Sequence, residues 1–257
     1  MNRNSNTYTV LYAIIMVVVV ATVLAVAATS LKQRQDDNVL TDKMGAILGS
    51  IGQAQDAANA DNKDLYIKTE FNKFFQTTYL INENGDATKV EAAKALATLD
   101  KLPQIFDEKK TLPLFVATLP DQTLYVIPVT GKGLWGPVWG YLALESDLNT
   151  VYGVKFDHKG ETPGLGAEIT LAPFTNKFVG KELFDNGVFK SITLVKGVAE
   201  NNFEVDAITG GTLTCNGVSA MLNNCLSAYA PYILKEQKAT KTIPLTKLTP
   251  AEATNNQ

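Results

Sequence analysis

Histidine occurs once and cysteine twice in this 257-residue chain. So few soft ligands argue against a zinc site of mixed Cys/His donors, which needs four around one metal. Cys215 and Cys225 lie ten residues apart on a stretch with helical spacing. At 1.5 Å per residue that is about 15 Å, too far for a disulfide, so both read as small buried or half-buried thiols. Positive charge is also in short supply. The 23 Lys and Arg are outnumbered by 26 Asp and Glu, for a net charge of -3, and no broad basic field exists to hold nucleic acid. No Gly-Lys-Ser/Thr follows a glycine loop, as a phosphate-cradling P-loop requires. No dinucleotide fingerprint opens a helix after a strand, so NADH binding is not expected of this chain. Only one run is apolar enough to cross a bilayer, so the chain alone cannot form an ion pathway.

What is present is apolar material in quantity. A hydrophobic content of 46% and a charged content of 19% describe a globular protein, long enough for one large domain or two small ones. Val10 to Thr29 carries no charge. A helix needs about 20 such residues to cross a hydrocarbon core, which places a transmembrane helix at 10–30 after a short segment 1–9. The rival reading is a cleaved signal peptide. Ala25-Val26-Ala27 and Ala27-Ala28-Thr29 imitate a cleavage site, although the run exceeds a typical h-region of about 7–15 residues. Both readings put the main domain outside the cytoplasm. Charge does not decide orientation: Arg3 precedes the span, while Lys32 and Arg34 follow it, diluted by Asp36 and Asp37.

Residues 31–110 read as a helical linker and packing region. Leu40, Met44, Ile47, Leu48 and Ile51 recur at helical spacing in a helix expected to reach about Ala60, and a second helix is expected over 90–102. From Thr111 the character changes. Short β-branched and aromatic runs at 114–118, 123–129, 138–144, 150–157, 192–195 and 203–205, broken by turn residues such as Pro120-Asp121, predict strands. Val218, Met221, Leu222, Cys225, Leu226 and Tyr229 mark an amphipathic helix ending near Pro231. The fold class is α+β: a twisted, mostly antiparallel sheet with packed helices over 111–234, preceded by one membrane helix. The tail 235–257, rich in Thr, Lys and Pro, is expected to be mobile.

Three glycine-containing segments carry the chemistry. Thr209-Gly210-Gly211-Thr212-Leu213-Thr214 sits just before the last helix, whose first-turn N–H groups and dipole suit a phosphate. The plainer reading is a tight turn capping that helix, with Thr214 or Asn216 as N-cap. Asp206, just upstream, would cap or be solvated, or would help a modifying enzyme engage the acceptor. The second segment runs from His158 to Gly166. Pro163-Gly164 dictates a turn, and Glu161, Thr162 and the backbone could bond the polar edge of a flat ring lying on Leu165. An ordinary hairpin connection is the alternative. His158 is tempting as an acid or base, but a lone histidine is more often structural. The third segment, Gly131 to Gly140, holds Trp135 and Trp139, which could wall a ring, meet a partner subunit or fill a core.

Taken together, Gly131-Lys132-Gly133-Leu134-Trp135-Gly136, Glu161-Thr162-Pro163-Gly164-Leu165-Gly166 and Thr209 to Val218 resemble the covalent FMN-binding domain family in order and spacing. Within it they are similar to the C subunit of the sodium-translocating NADH:quinone oxidoreductases. Phe178-Val179-Gly180-Lys181 resembles that family's linking segment. The resemblance implies FMN held covalently on Thr212 through its phosphate, with Thr214 the other possible acceptor. The family usually has alanine where this chain has Gly211. It further implies that Thr209, Gly210, Gly211 and Leu213 surround the phosphate. Glu161, Thr162, Gly164, Leu165 and Gly166, with Leu134 and Trp135, would hold and tune the ring.

The same resemblance implies a separate flavin transferase, using FAD, to install the ester. Multi-span partner subunits would move sodium and reduce quinone, and the chain would sit in the bacterial inner membrane as a single-pass electron carrier with its flavin domain outside the cytoplasm. The equivalent FMN protein of the related ferredoxin–NAD membrane complex is the nearest alternative. A non-redox, membrane-tethered scaffold domain is another.

Overall fold

The computed structural model describes residues 6–108 and 111–242. The chain divides into two compact units, residues 1–43 and 44–257. Helix α1, Asn6–Ser50, runs without interruption from the apolar segment to the start of the second unit. Its apolar window has a mean hydropathy of 3.0 and none of it is buried within the chain. Val17, Val23, Leu24 and Val26 all face outward. A helix apolar all round is stable only where its surroundings are apolar too.

In the second unit Ile47 and Leu48 at the end of α1, and Ile51 just beyond it, are buried. A short 3₁₀ turn, Gln55–Ala58, follows. Helix α2, Lys63–Phe74, starts where the Asn62 side chain accepts a 3.0 Å hydrogen bond from Leu65 N–H. Strands β1, Thr77–Ile81, and β2, Ala87–Val90, form a hairpin. Asn82 shapes its turn by accepting from Asn84 and Asp86 N–H. Helices α3, Ala92–Thr98, and α4, Leu102–Asp107, come next. Strands β3, Leu112–Thr118; β4, Thr123–Lys132; β5, Pro137–Leu144; and β6, Val151–His158, then run antiparallel in sequence. Together they make a six-stranded sheet in the order β2-β1-β3-β4-β5-β6.

After β6 the chain makes the one-turn helix α5, Ala172–Thr175, and four short strands: β7, Phe184–Asp185; β8, Val188–Phe189; β9, Thr193–Val195; and β10, Glu204–Asp206. β9 and β10 pair in parallel. Helix α6, Thr212–Thr242, closes the described chain.

The sheet is covered on both faces, which is why β3 is buried at six of its seven positions. Period-2 alternation sorts the two cores. Leu114, Ile127, Val129 and Leu142 pack in the cluster that contains Val218, Met221, Leu222, Leu226 and Tyr229 of α6. Phe115 turns the other way, meeting Phe71 and Phe75 edge-on at 6.3 and 6.4 Å. Tyr229 reaches through its own core to donate a 2.7 Å hydrogen bond to the Pro113 carbonyl.

The α+β class is as the sequence led us to expect, and three particulars differ. Residues 31–110 are not purely helical, because β1 and β2 lie there and extend the sheet. The first helix of that region stops at Ser50 and does not reach Ala60. The last helix does not end at Pro231. It carries that proline inside and continues to Thr242, so residues 235–242 are helical. The remainder of that expected tail, 243–257, lies outside the described residues, as do residues 1–5 of the expected short N-terminal segment.

Candidate functional site

Three local structures converge at the N-terminus of α6. The first is the β4–β5 hairpin. Its strands pair as far as Lys132 and Pro137, leaving Gly133 to Gly136 as a four-residue turn closed by a 2.8 Å bond from Gly133 N–H to the Gly136 carbonyl. The hairpin lies directly on α6 because two glycines permit it. A Cβ on Gly217 would collide with the Lys132 carbonyl, and one on Gly131 would come within 2.7 Å of Met221.

The second is the loop after β6. His158 pairs with Val138 of β5, and its Nδ1 accepts a 3.1 Å hydrogen bond from Glu161 N–H. Thr162 then anchors a tight turn, its carbonyl accepting from both Leu165 and Ala167 N–H at 3.1 Å. Gly164 takes φ +76°, the left-handed conformation that turn demands.

The third is the segment joining β10 to α6. Gly211 N–H donates to the Ile208 carbonyl, and Cys215 N–H to the Gly211 carbonyl at 2.9 Å. That last bond is the first of the helix, so the N–H groups of Thr212, Leu213 and Thr214 are the free donors of its opening turn. Gly210, at φ +80°, sits beneath Leu165, whose Cδ2 occupies the space a Cβ there would need.

Glu161 ties the three together. Glu161 as a whole is 4% exposed. Oε1 accepts from Trp135 N–H of the hairpin turn at 2.9 Å, and Oε2 accepts from the Thr214 hydroxyl of α6 at 2.6 Å. Both oxygens of a buried carboxylate are therefore satisfied, as burial requires. The space around it is made by glycines: a Cβ on Gly133 would lie 2.5 Å from Oε1, and one on Gly166 would lie 2.6 Å from Oε2.

Eleven of the expected site residues line one cleft of about 120 Å³: Leu134, Trp135, Glu161, Thr162, Leu165, Gly166 and the run Gly210 to Thr214. Its rim is apolar and open, with Trp135 68% and Leu213 59% exposed. Thr212 is exposed and Thr214 is buried. Two expected residues, Gly164 and Thr209, are not on the lining. A larger cavity of about 620 Å³ lies elsewhere, bordered by Asp147, Glu182, Asp185 and Gln237. It contains none of the glycine segments, and the carboxylate of Asp147 is occupied by Asn149 and Thr150. The smaller cleft, where the three glycine segments meet around the buried Glu161 carboxylate, is the candidate.

Several sequence readings change at this site. Thr214 and Asn216 are not N-caps: the helix already starts at Thr212, and the Thr214 side chain turns inward to Glu161. Asp206 accepts a 2.6 Å hydrogen bond from Ala199 N–H and lies 3.9 Å from the Lys177 ammonium, which closes the preceding loop. Cys215 accepts from Ile208 N–H at 3.3 Å, and burial pushes its thiol up, opposed by that bond and by Lys177. Trp139 borders a separate cavity with His158 and Lys155 and does not wall the cleft. No grouping of three His, Cys, Asp or Glu suited to a metal occurs among the described residues.

Residues 133–227, which include the glycine-lined cleft at the N-terminus of α6 and the exposed Thr212, match the FMN-binding domain family. The chain is 32% identical over 243 residues to the C subunit of the Na(+)-translocating NADH-quinone reductase of Pseudomonas aeruginosa, covering 86% of this chain and 92% of that one. It is 30% identical to the same subunit of Vibrio anguillarum, covering 91% and 96%. Among solved structures, the corresponding protein of Parabacteroides distasonis matches with a TM-score of 0.68 and 40% identity, over 79% of this chain and 96% of that one. NqrC of Shewanella oneidensis matches at 0.61 and 26%, over 77% and 98%. The chain belongs to the NqrC family, the C subunits of the Na(+)-translocating NADH-quinone reductases.

Proposed function

We propose that this chain is a single-pass membrane flavoprotein that carries FMN esterified to Thr212 and relays electrons within a sodium-translocating NADH:quinone oxidoreductase. The observation that carries this reading is the Glu161 carboxylate, buried at the meeting point of three glycine segments and directly beside the opening turn of α6. The residues fit the group. The free N–H donors of Thr212, Leu213 and Thr214 and the helix dipole favour a phosphate at that end. Thr212 is the acceptor because its side chain is exposed, whereas the Thr214 hydroxyl is buried and already donated to Glu161.

The cleft is smaller than the roughly 300–1,000 Å³ of a site that engulfs its ligand. It therefore suits the phosphate and one edge of the ring, with Leu134, Trp135, Leu165 and Leu213 as the apolar surface around it. When bound, the flavin supplies the one- and two-electron chemistry, and the protein supplies position and electrostatics. Glu161 fixes the hairpin turn and α6 relative to each other, Leu165 packs over Gly210, and Thr162 sets the turn that presents Leu165.

Anchoring in the inner membrane is supported by the apolar half of α1, with the flavin domain outside the cytoplasm. The partners are the other subunits of the complex, which handle sodium and quinone, and a flavin transferase that installs the ester. Co-expression with such a transferase, followed by intact-mass analysis and peptide mapping, tests the reading. A mass increase of one FMN on the peptide containing Thr212, lost in Thr212→Leu and kept in Thr214→Val, is expected. An unmodified chain would overturn it.

A further inference from the structure

We propose that His158 is a positioning residue for the flavin site, holding the Glu161 carboxylate in place by accepting the hydrogen bond of Glu161's own N–H; this rests on the flavin reading above. His158 is the only histidine of the chain. Its backbone is set by the sheet through pairing with Val138, and its N–H is tied to Asp157 Oδ1 at 2.7 Å. The imidazole is thus carried on a fixed base. Its Nδ1 lies 3.1 Å from Glu161 N, and since a backbone N–H can only donate, Nδ1 must be the unprotonated nitrogen.

Between this ring and the carboxylate lies little else to hold the loop. Lys159 N–H donates to the Pro137 carbonyl at 3.0 Å, Gly160 touches nothing within reach of a Cβ, and Glu161 N–H is the next tie. Beyond it the side chain enters a slot with no slack, pressed between Gly133 and Gly166, with bonds of 2.9 and 2.6 Å to Trp135 and Thr214. A shift of a few tenths of an ångström at the Glu161 backbone would misalign both bonds at once. His158 thereby acts on the hairpin turn and on α6 without touching either through its ring nitrogen.

An ordinary turn-stabilising role would make the same bond, and the choice of substitution separates the two. Asparagine places an amide oxygen near the position of Nδ1 and can still accept, whereas glutamine reaches toward the position of Nε2. The full chain is compared as wild type, His158→Asn and His158→Gln, each in two forms. In the Thr212→Leu background, without flavin, amide hydrogen exchange is read at Glu161 and Trp135. His158→Asn should keep both protected, and His158→Gln should lose about tenfold at both, the size of one hydrogen bond. In the flavin-bearing form, the midpoint potential of His158→Asn should match wild type and that of His158→Gln should move. Unchanged exchange at Trp135 in His158→Gln would overturn the proposal. A wild-type chain that acquires no flavin would instead sink the flavin reading and leave the exchange result to decide His158.

Discussion

The Thr214 hydroxyl donates a 2.6 Å hydrogen bond to Glu161 Oε2 across 53 residues of sequence, with Thr214 1% exposed. This bond joins the loop after β6 to the first turn of α6. Removing the hydroxyl while keeping the side-chain volume isolates it. Thr214→Val would leave one oxygen of a buried carboxylate without a partner, which costs about 2 kcal/mol. At about 2–4 °C per kcal/mol for a chain approaching this size, the melting temperature of the full chain in detergent should fall by roughly 4–8 °C. Thr214→Ser should stay close to wild type. A Thr214→Val variant melting at the wild-type temperature would show that Glu161 is held by other means.

The glycines around Glu161 separate steric need from mere loop composition. Gly166→Ala would drive a methyl into the Thr214 hydroxyl and to within 2.6 Å of Glu161 Oε2, both buried and neither free to withdraw. Overpacking of that kind costs about 1–3 kcal/mol. Gly160→Ala, six residues earlier, meets nothing within 4 Å and should change stability by no more than about 0.5 kcal/mol. Comparable melting losses in the two variants would mean that the loop tolerates no side chain anywhere, and that the packing against Glu161 is not the cause.

How much of this could be read from residues alone varies with how local the cause is. β3 to β6 announce themselves because β-branched and aromatic runs alternate with turn residues, and α6 does so because its buried residues recur every three or four positions. β2 gives no such signal: Ala87–Val90 is an edge strand with three exposed positions and a lysine. β1 is paired on both sides, yet it follows α2, whose buried Ile67, Phe71 and Phe74 keep a helical spacing that the sequence does display. Pro231 should stop a helix because it lacks an N–H. It does not, and the turn of the β1–β2 hairpin packs there, with Gly85 against the Pro231 carbonyl and Asp86 paired with Lys235. The gathering of the glycine segments around one cleft was legible through resemblance, whereas the inward turn of Thr214 was not. A hydroxyl in the first turn of a helix reads as a cap, and its true partner is remote in sequence.

Ser191 offers a stabilising change. It holds φ at +63°, is 2% exposed, and its hydroxyl has no hydrogen-bond partner among the described residues. A non-glycine residue in the left-handed region costs about 1–2 kcal/mol, and an unsatisfied buried hydroxyl adds to that. Ser191→Gly removes both, offset by the extra chain entropy glycine loses on folding, about 0.5–1 kcal/mol. A net gain of about 1 kcal/mol is expected, visible as a rise of roughly 2–4 °C in the melting temperature. A fall would mean that the hydroxyl is satisfied in solution.

Cys225 makes stability fall as the solution turns alkaline. Its thiol is buried against β4, accepting from Thr130 N–H at 3.4 Å and donating to the Thr130 carbonyl at 3.2 Å. Burial pushes it from 9.0 up to about 12. The sign follows from proton counting. Between those two values the unfolded chain has released this proton and the folded chain has kept it, so the native state binds more protons and stability falls as pH rises. The contribution is complete below the ordinary thiol range and is lost progressively up to about 12, at a rate of at most about 1.4 kcal/mol per pH unit. Tyr229 and Cys215 are pushed up in the same sense by their own burial, but both remain in a Cys225→Ala variant. Melts of wild type and Cys225→Ala between pH 8.5 and 10 therefore isolate the thiol: the wild-type melting temperature should drop across that window, and the variant, although less stable throughout from the lost packing, should drop less. Parallel curves would show that the thiol ionises equally in both states.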